Sequence, residues 1–217
     1  MRAGGWIWFL PLLLLCVTVE GAAPTAEEIL KNHCRARAAI ETLEMEFIET
    51  RVFTVFDEKE TAGGTLYYMA PDRACWQYTA PDRSSTVMNG ERGWMTFPDI
   101  KQVQTFKFEG SKTEKVLSIV GFGACGPLTD SFEVKLSAAD EHQFVLEMTP
   151  TDESILAMSS RVDLTLDRAD YLPRKIKIYE RSGDVLLFDF SELKTNVKLD
   201  EAMFEFVVPD GYSIVEY

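Results

Sequence analysis

The stretch Gly64-Thr65-Leu66-Tyr67-Tyr68-Met69, followed by Cys75-Trp76-Gln77-Tyr78, decides the fold of this chain. In both runs large residues stand two apart, and this spacing places them on one side of a pleated strand. Turn dipeptides separate the runs, namely Pro71-Asp72, Pro81-Asp82 and Asn89-Gly90. Residues 64–97 are therefore predicted to form an antiparallel β-meander with one aromatic face. Such a face must be covered by the rest of the chain or kept for an apolar guest.

Further strands and two helices are predicted around this meander. Alternating apolar residues predict strands at 45–56, 61–69, 74–79, 84–88, 93–97, 103–108, 132–136, 144–148, 162–166, 174–179 and 185–190. A first helix starts with the capping box Thr25/Glu28, and its apolar stripe includes Ile29, Ile40 and Leu43. A second helix is predicted at 111–120, followed by a flexible glycine-rich loop at 121–127 and helical turns at 154–158 and 200–204.

These elements predict a mainly β fold with a few helices, in the α+β class. About eleven strands, with one helix before them and another inserted midway, favour a strongly curled antiparallel sheet. Its concave side needs a cover, which the two helices can supply. No linker, low-complexity tract or internal repeat divides the chain, so residues 23–217 are expected to form a single domain.

Composition and charge indicate a globular protein and argue against nucleic-acid binding. The 217 residues are 46% hydrophobic and 12% aromatic, which is typical of a packed globule. The net charge of −13 would repel a phosphate backbone, and no basic cluster with interleaved aromatic residues occurs. Nucleic acid is therefore not an expected partner.

The N-terminus has the three zones of a secretory signal peptide. Arg2 supplies the positive end, residues 6–19 form the apolar run, and small residues follow near Gly21 and Ala22. Residues 1–22 are therefore expected to be cleaved, and no later stretch is long and apolar enough to span a bilayer. The mature chain is expected to be soluble in an exported compartment.

Three cysteines remain after this cleavage: Cys34, Cys75 and Cys125. An oxidising compartment permits one disulfide and one free thiol, and a Cys34–Cys125 pair is favoured because Cys75 alternates with Trp76 along its strand. Three buried, unpaired thiols remain the alternative. No metal site is expected, since the chain has no Cys-x-x-Cys and only two histidines.

At this point the chain resembles a known family, the outer-membrane lipoprotein carrier proteins (LolA). The closing run Phe204 to Tyr212 is similar to that family's Phe-x-Phe-x-x-Pro-x-Gly ending. Earlier motifs fall where the family has its own: Gly64-Thr65-Leu66-Tyr67-Tyr68, Pro71, Trp76, Pro81-Asp82, Asn89-Gly90, Trp94 and Pro98. The resemblance spans most of the mature chain.

The resemblance implies an unclosed β-barrel with a helical lid and a carrier function. Such a protein takes up the acyl chains of lipoproteins released at the inner membrane and carries them across the periplasm. The implied partners are an inner-membrane lipoprotein-releasing transporter or lipid exporter and an outer-membrane acceptor. No cofactor is implied.

Two sets of residues are predicted to form the site. The cavity wall is expected to contain Leu66, Tyr68, Trp76, Tyr78, Val87 and Met95, with Met69 beside them, because aromatic and methionine side chains adapt to irregular apolar guests. The lid is expected to contain Ile29, Ile40, Val116, Leu117 and Val120. The alternative is that the wall residues pack an ordinary core.

One position departs from the family pattern. The carrier family commonly has an arginine just before the proline that corresponds to Pro71, and this arginine holds the lid shut. This chain has Ala70 there. Either Arg73 substitutes, or packing alone closes the lid, or the cargo differs from the usual lipoprotein.

No catalytic set is recognisable in the sequence, so the chain is not expected to be an enzyme. His33 and His142 stand beside no Ser or Cys nucleophile in a known motif. The Gly-x-Gly at Gly121 lacks the flanking strand and helix of a nucleotide-binding fingerprint. The alternative function is a lipid-sensing regulatory module of the envelope with the same fold, and an envelope enzyme with an unrecognised site is a third reading.

Overall fold

The computed structural model describes residues 23–90, 92–107 and 125–217. Its helices are α1 (Ala26–Ala38), α2 (Cys125–Ser131), α3 (Glu153–Leu156) and a 3-10 turn (Glu201–Phe204). Its strands are β1 (Thr42–Phe53), β2 (Glu58–Met69), β3 (Arg73–Ala80), β4 (Ser84–Asn89), β5 (Arg92–Phe97), β6 (Gln102–Lys107), β7 (Phe132–Ala139), β8 (Gln143–Pro150), β9 (Ser159–Asp167), β10 (Pro173–Glu180), β11 (Val185–Thr195) and β12 (Ser213–Glu216). The predicted signal peptide and the predicted helix at 111–120 lie outside the described residues.

The twelve described strands form one curled, open sheet. Their order is β12-β6-β5-β4-β3-β2-β1-β11-β10-β9-β8-β7, so β12 and β7 are its two edges. Every pairing is antiparallel except that of β12 with β6. The predicted curled sheet is confirmed, with one more strand than the eleven expected and a parallel pair at one edge.

The first hairpin is shifted along the chain relative to its prediction. β1 starts at Thr42 and ends at Phe53, residues 54–57 form the turn, and β2 starts at Glu58. The charged start of β2 joins the ladder because its register with β1 continues to the pair Phe53 and Glu58. Pairing across the hairpin thus overrides the low β-propensity of these residues.

Helix α1 starts as predicted. The backbone N–H of Thr25 donates to the Glu28 carboxylate over 2.8 Å, and the Glu28 N–H donates to the Thr25 hydroxyl over 3.2 Å. The helix ends at Ala38, so Ile40 lies in the link to β1 and Leu43 within β1. The prediction that both belong to the apolar stripe of the helix was wrong, because β1 starts at Thr42, three residues before the predicted strand start at residue 45.

Helix α2 replaces the second half of the predicted glycine-rich loop. Cys125, Gly126 and Pro127 form its first turn, where a proline costs no helical hydrogen bond, and Leu128 is fully buried. A disulfide joins Cys125 to Cys34 of α1, with a Cα–Cα distance of 5.6 Å. The favoured pairing is therefore present, and it ties α1 to α2. No helix in the described parts of the chain is long and apolar enough to cross a bilayer.

Strands β2–β4 carry buried apolar residues on both faces. One face belongs to the main core, which α1 covers with Ile29 and Leu30. The other face carries a second cluster centred on Phe204, which brings the C-terminal segment over the sheet. Cys75 is a buried thiol in this second cluster. It points away from Trp76 as predicted, but into another apolar layer.

Gly64, the first residue of the deciding stretch, lets β2 and β3 approach closely. A Cβ atom on Gly64 would lie 1.9 Å from the carbonyl oxygen of Gln77. The register between the two strands also shifts at this point, since Gly63 pairs with Ala80 and Gly64 pairs with Tyr78. Only glycine fits this bulged crossing.

We expect Gly64→Ala to lower the free energy of unfolding by about 1–3 kcal/mol, because the backbone of β3 must move away from the added methyl group. Urea unfolding of the mature chain measures the change. Gly126→Ala is the matched control, since a Cβ on Gly126 meets nothing within 4 Å. Equal stability of Gly64→Ala and wild type would contradict this account of the crossing.

Candidate functional site

The structure places five of the predicted wall residues on one face of the sheet. Leu66, Trp76 and Met95 lie in a single row across β2, β3, β4 and β5, in which Thr86 stands between the last two. Tyr68 and Tyr78 stand two residues along their strands from this row and share its face. Leu66, Tyr68 and Trp76 are almost completely buried, whereas Tyr78 and Met95 are half-buried.

Val87 and Met69 lie on the opposite face. Val87 pairs with Cys75 and Trp94, one position away from the row that contains Trp76. Successive side chains of a strand alternate between faces, so this offset turns Val87 into the second cluster under the C-terminal segment. The expectation that Val87 and Met69 line the same wall as Trp76 was wrong.

Aromatic residues of distant strands extend the wall, and sequence reasoning missed them. The Phe47 ring meets Tyr78 edge-on at 5.0 Å between centroids and lies 6.3 Å from Phe188. Phe188 stacks on Phe190 at 6.1 Å. Phe47 and Tyr78 come together because both pair with Gly64 of β2. The pairing of β1 with β11 then adds Phe188 and Phe190 to the same face.

The wall runs into an open depression at the end of the sheet away from α1. Its volume is about 380 Å³, which falls within the range of small-molecule sites. Its apolar lining comes from Ala62, Tyr78, Pro81, Phe97 and Ile100, and its polar lining comes from Asp82, Arg83, Ser84 and Asp99. The depression therefore joins the predicted wall, through Tyr78, to solvent.

A polar pair stands where the wall meets this depression. The Tyr78 hydroxyl donates to the Glu49 carboxylate over 2.6 Å. Burial, together with this negatively charged neighbour, raises the pKa of Tyr78 far above its ordinary value. The phenol therefore stays protonated and gives the half-buried Glu49 a permanent donor.

The described part of the lid lies against the core. Ile29 and Leu30 of α1 are buried, and Ile40 packs against the main core from the following link. The predicted lid residues Val116, Leu117 and Val120 lie outside the described residues.

His33 lies at the centre of the buried face of α1. It is fully buried, and its Nδ1–H donates to the Tyr171 carbonyl oxygen over 2.8 Å. Its Nε2 has no hydrogen-bond partner in the described part of the chain. Burial, aided by the positive charge of Arg37, lowers the pKa of His33 to about 4.

A second polar contact fastens α1 to the sheet. Arg37 of α1 is hydrogen-bonded to Tyr68 of β2, and the Tyr68 hydroxyl donates to the Pro71 carbonyl oxygen over 3.1 Å. Arg73 does not replace the arginine missing at Ala70, because it pairs with Glu201 at 3.3 Å beneath the C-terminal segment. The arginine that links lid and sheet is supplied by the helix.

We expect the stability of the folded chain to fall as the pH drops from 6.5 towards 4. The unfolded chain protonates His33 near its ordinary pKa of 6.5, whereas the folded chain keeps it neutral until about 4. Above pH 6.5 His33 is neutral in both states, so its protonation costs the folded state nothing. Between pH 6.5 and 4 the free energy of unfolding falls by about 3 kcal/mol.

Urea unfolding at a series of pH values measures this slope. His33→Asn keeps an amide donor for Tyr171 and is expected to lose the His33 part of the slope. His142→Asn, in an exposed turn, is the matched control and is expected to retain it. Identical slopes in His33→Asn and wild type would disprove the assignment to His33.

Comparisons with known proteins agree with this geometry. A family model described as outer membrane lipoprotein carrier protein LolA matches residues 38–207. The chain is 23% identical over 206 residues to an outer-membrane lipoprotein carrier protein of Methylococcus capsulatus, covering 94% of this chain and 96% of that one. It is also 23% identical over 212 residues to a protein of the same description from Alkalilimnicola ehrlichii, covering 96% and 94% of the two chains.

Among solved structures, an uncharacterized conserved protein from Thermus thermophilus has the same fold. The TM-score is 0.57 at 13% sequence identity, and the match covers 88% of this chain and 99% of that one. The family model spans most of the strands that build the wall and the C-terminal run that covers the opposite face. The chain belongs to the LolA family of outer-membrane lipoprotein carrier proteins.

Proposed function

We propose that the mature chain carries the acyl chains of lipoproteins, or of a related lipid, on the concave side of its sheet. The observation that carries the proposal is the aromatic wall beneath α1 that opens into the 380 Å³ depression. Membership of a lipoprotein carrier family supports it. In this role residues 1–22 act as the export signal, and the protein works in the periplasm without a catalytic group.

The apolar wall meets the physical requirement of such cargo. Burying an acyl chain yields roughly 0.8 kcal/mol per methylene, so a free lipoprotein would enter the nearest bilayer unless the escort offered an equivalent surface. Aromatic and methionine side chains, such as Tyr78 and Met95, provide that surface without demanding one fixed ligand shape.

Entry is expected to begin at the depression and to proceed towards Trp76. Tyr78 and Met95 are half-buried and accept a methylene chain first, whereas Leu66 and Trp76 are already covered. Deeper entry therefore requires α1 to move and the Arg37–Tyr68 contact to open. The Cys34–Cys125 disulfide keeps the displaced helix attached to α2.

The partners proposed for this cycle are an inner-membrane transporter that releases lipoproteins, or a lipid exporter, and an outer-membrane acceptor. Cargo must move from the first to the second, so the affinity of the carrier must lie between theirs. The contact between α1 and the sheet lowers that affinity, because part of the gain from acyl burial is used to separate them.

We expect Ala62→Trp to weaken acyl binding about tenfold, because the indole fills the depression and displaces roughly two methylenes of the ligand. Titration of the mature chain with a fluorescent fatty acid and with a diacylated lipopeptide measures the dissociation constant. Thr61→Trp is the matched control: it adds the same ring one residue earlier, on the opposite, exposed side of β2.

Unchanged binding in Thr61→Trp is expected, and an equal loss in both variants would point to a general effect of the added ring. If wild type binds neither probe, the carrier proposal fails. If Ala62→Trp binds both as tightly as wild type does, the depression is not the entry site. Acylated peptides in the organic extract of the exported protein would identify the cargo by mass spectrometry.

A further inference from the structure

Exposed apolar side chains collect at the end of the sheet where the depression opens. Val55 and Phe56, in the β1–β2 turn, are 79% and 72% exposed, and Ile100, in the β5–β6 turn, is 66% exposed. Met158, just before β9, is 55% exposed. The register places these positions at one end, because Val52 pairs with Val185 and Ser159 pairs with Glu180 in neighbouring strands.

The backbone holds these side chains outward. In the first turn the Phe56 N–H donates to the Phe53 carbonyl over 3.1 Å. Thr54 fixes the same turn to the β10–β11 hairpin, since its N–H donates to Asp184 over 3.0 Å and its hydroxyl donates to the Gly183 carbonyl over 2.7 Å. Exposure of Val55 and Phe56 is thus a feature of an anchored turn.

The β5–β6 turn repeats this construction. Phe56 and Ile100 each directly precede a residue with a left-handed backbone, Asp57 at φ 52° and Lys101 at φ 49°. The Lys101 N–H closes the second turn by donating to the Pro98 carbonyl over 3.1 Å. Both turns thus place a large exposed apolar side chain directly before a residue with a left-handed backbone, although the closing N–H comes from Phe56 in the first turn and from Lys101 in the second.

The β3–β4 and β5–β6 turns border the depression. Ile100 lines it, together with Pro81 of the β3–β4 turn. A ligand that leaves the depression therefore emerges beside these two turns, next to the exposed side chain of Ile100. These two turns therefore lie where a bound acyl chain would leave the protein.

The charge of the turns differs from that of the whole chain. The four turns at 54–57, 81–83, 98–101 and 181–184 together carry four carboxylates and three cations: Asp57, Asp82, Asp99, Asp184, Arg83, Lys101 and Arg181. Their net charge is close to neutral, whereas the chain carries −13. By contrast, the exposed apolar residues of the C-terminal segment stand in residues 200–217, which contain acidic residues and no Lys or Arg.

We propose that these four turns, with Met158, form a docking surface for a zwitterionic lipid bilayer. Apolar side chains on separate turns can each enter the fluid interface of a bilayer. The near-neutral turns approach a zwitterionic surface without repulsion, and the acidic remainder of the chain disfavours an anionic one. This inference rests on the proposed function, since docking brings the depression to the lipid from which cargo comes or to which it goes.

Co-sedimentation of the cargo-free mature chain with phosphatidylcholine vesicles tests the proposal. Wild type is expected to pellet with the vesicles. The double variant Val55→Ser/Phe56→Ser is expected to lose at least about tenfold in vesicle affinity. Val207→Ser/Tyr217→Ser is the matched control, because it removes two comparably exposed apolar side chains, 67% and 78%, from the C-terminal segment. This control is expected to bind as wild type does.

A spectroscopic variant locates the contact directly. The indole of Phe56→Trp should shift its emission to shorter wavelength when vesicles are added, and brominated lipid should quench it. The matched Tyr217→Trp variant should show neither change. Partial replacement of phosphatidylcholine by phosphatidylglycerol should weaken binding of the wild type.

Several outcomes would overturn the proposal. These are a wild-type chain that stays in the supernatant, equal losses in the two double variants, tighter binding to the anionic vesicles, or dimers that Val55→Ser/Phe56→Ser dissociates in place of vesicle binding. Fatty-acid titration of the same variants separates this proposal from the carrier function. Vesicle binding lost with acyl binding intact assigns the turns to docking, whereas a wild type that binds vesicles but no acyl probe leaves docking standing and removes the carrier function.

Discussion

The structure depends on one constraint, which is that strands β2–β4 carry buried apolar side chains on both faces. A sheet of this kind must be covered twice. Helix α1 covers one face through Ile29 and Leu30, and the C-terminal segment covers the other through Phe204. The first cover stops short of the strand ends, so the wall that begins at Leu66 continues past Tyr78 into an open depression. The candidate site is the part of this apolar face that the described residues leave uncovered.

The sequence predicted local features well because local chemistry determines them. The Thr25/Glu28 capping box and the turn at Asn89-Gly90 each require only neighbouring residues. The face occupied by Val87 was predicted wrongly, because both faces of its strand are apolar and alternation alone cannot tell which one lies under α1. The ring of Phe188 could not be assigned to the wall either, since the pairing of β1 with β11 joins distant parts of the chain.

The contact between lid and sheet illustrates how a family feature can survive a substitution. The resemblance led us to expect an arginine on the sheet, and Ala70 removes it. In the structure Arg37 provides the guanidinium from the helix and reaches Tyr68, two residues before Ala70. A hydrogen bond between lid and sheet is thus retained, but here the arginine lies on the helix and its partner on the sheet. Position-by-position comparison misses such an exchange, because it is visible only once the two elements are placed together.

The two covers differ in what they bury, and this difference indicates which one can open. The C-terminal cover buries Phe204 completely, and Asn89 donates to its carbonyl oxygen over 3.1 Å. Helix α1 buries His33 and much of Arg37 beside its apolar residues, so part of its hydrophobic gain is offset by the desolvation of polar groups. Separating α1 from the sheet returns these groups to water, whereas lifting the C-terminal segment exposes the fully buried Phe204 and breaks the Asn89 hydrogen bond and the Arg73–Glu201 ion pair. We therefore expect α1 to be the cover that yields to an incoming acyl chain, with its disulfide to α2 limiting how far it moves.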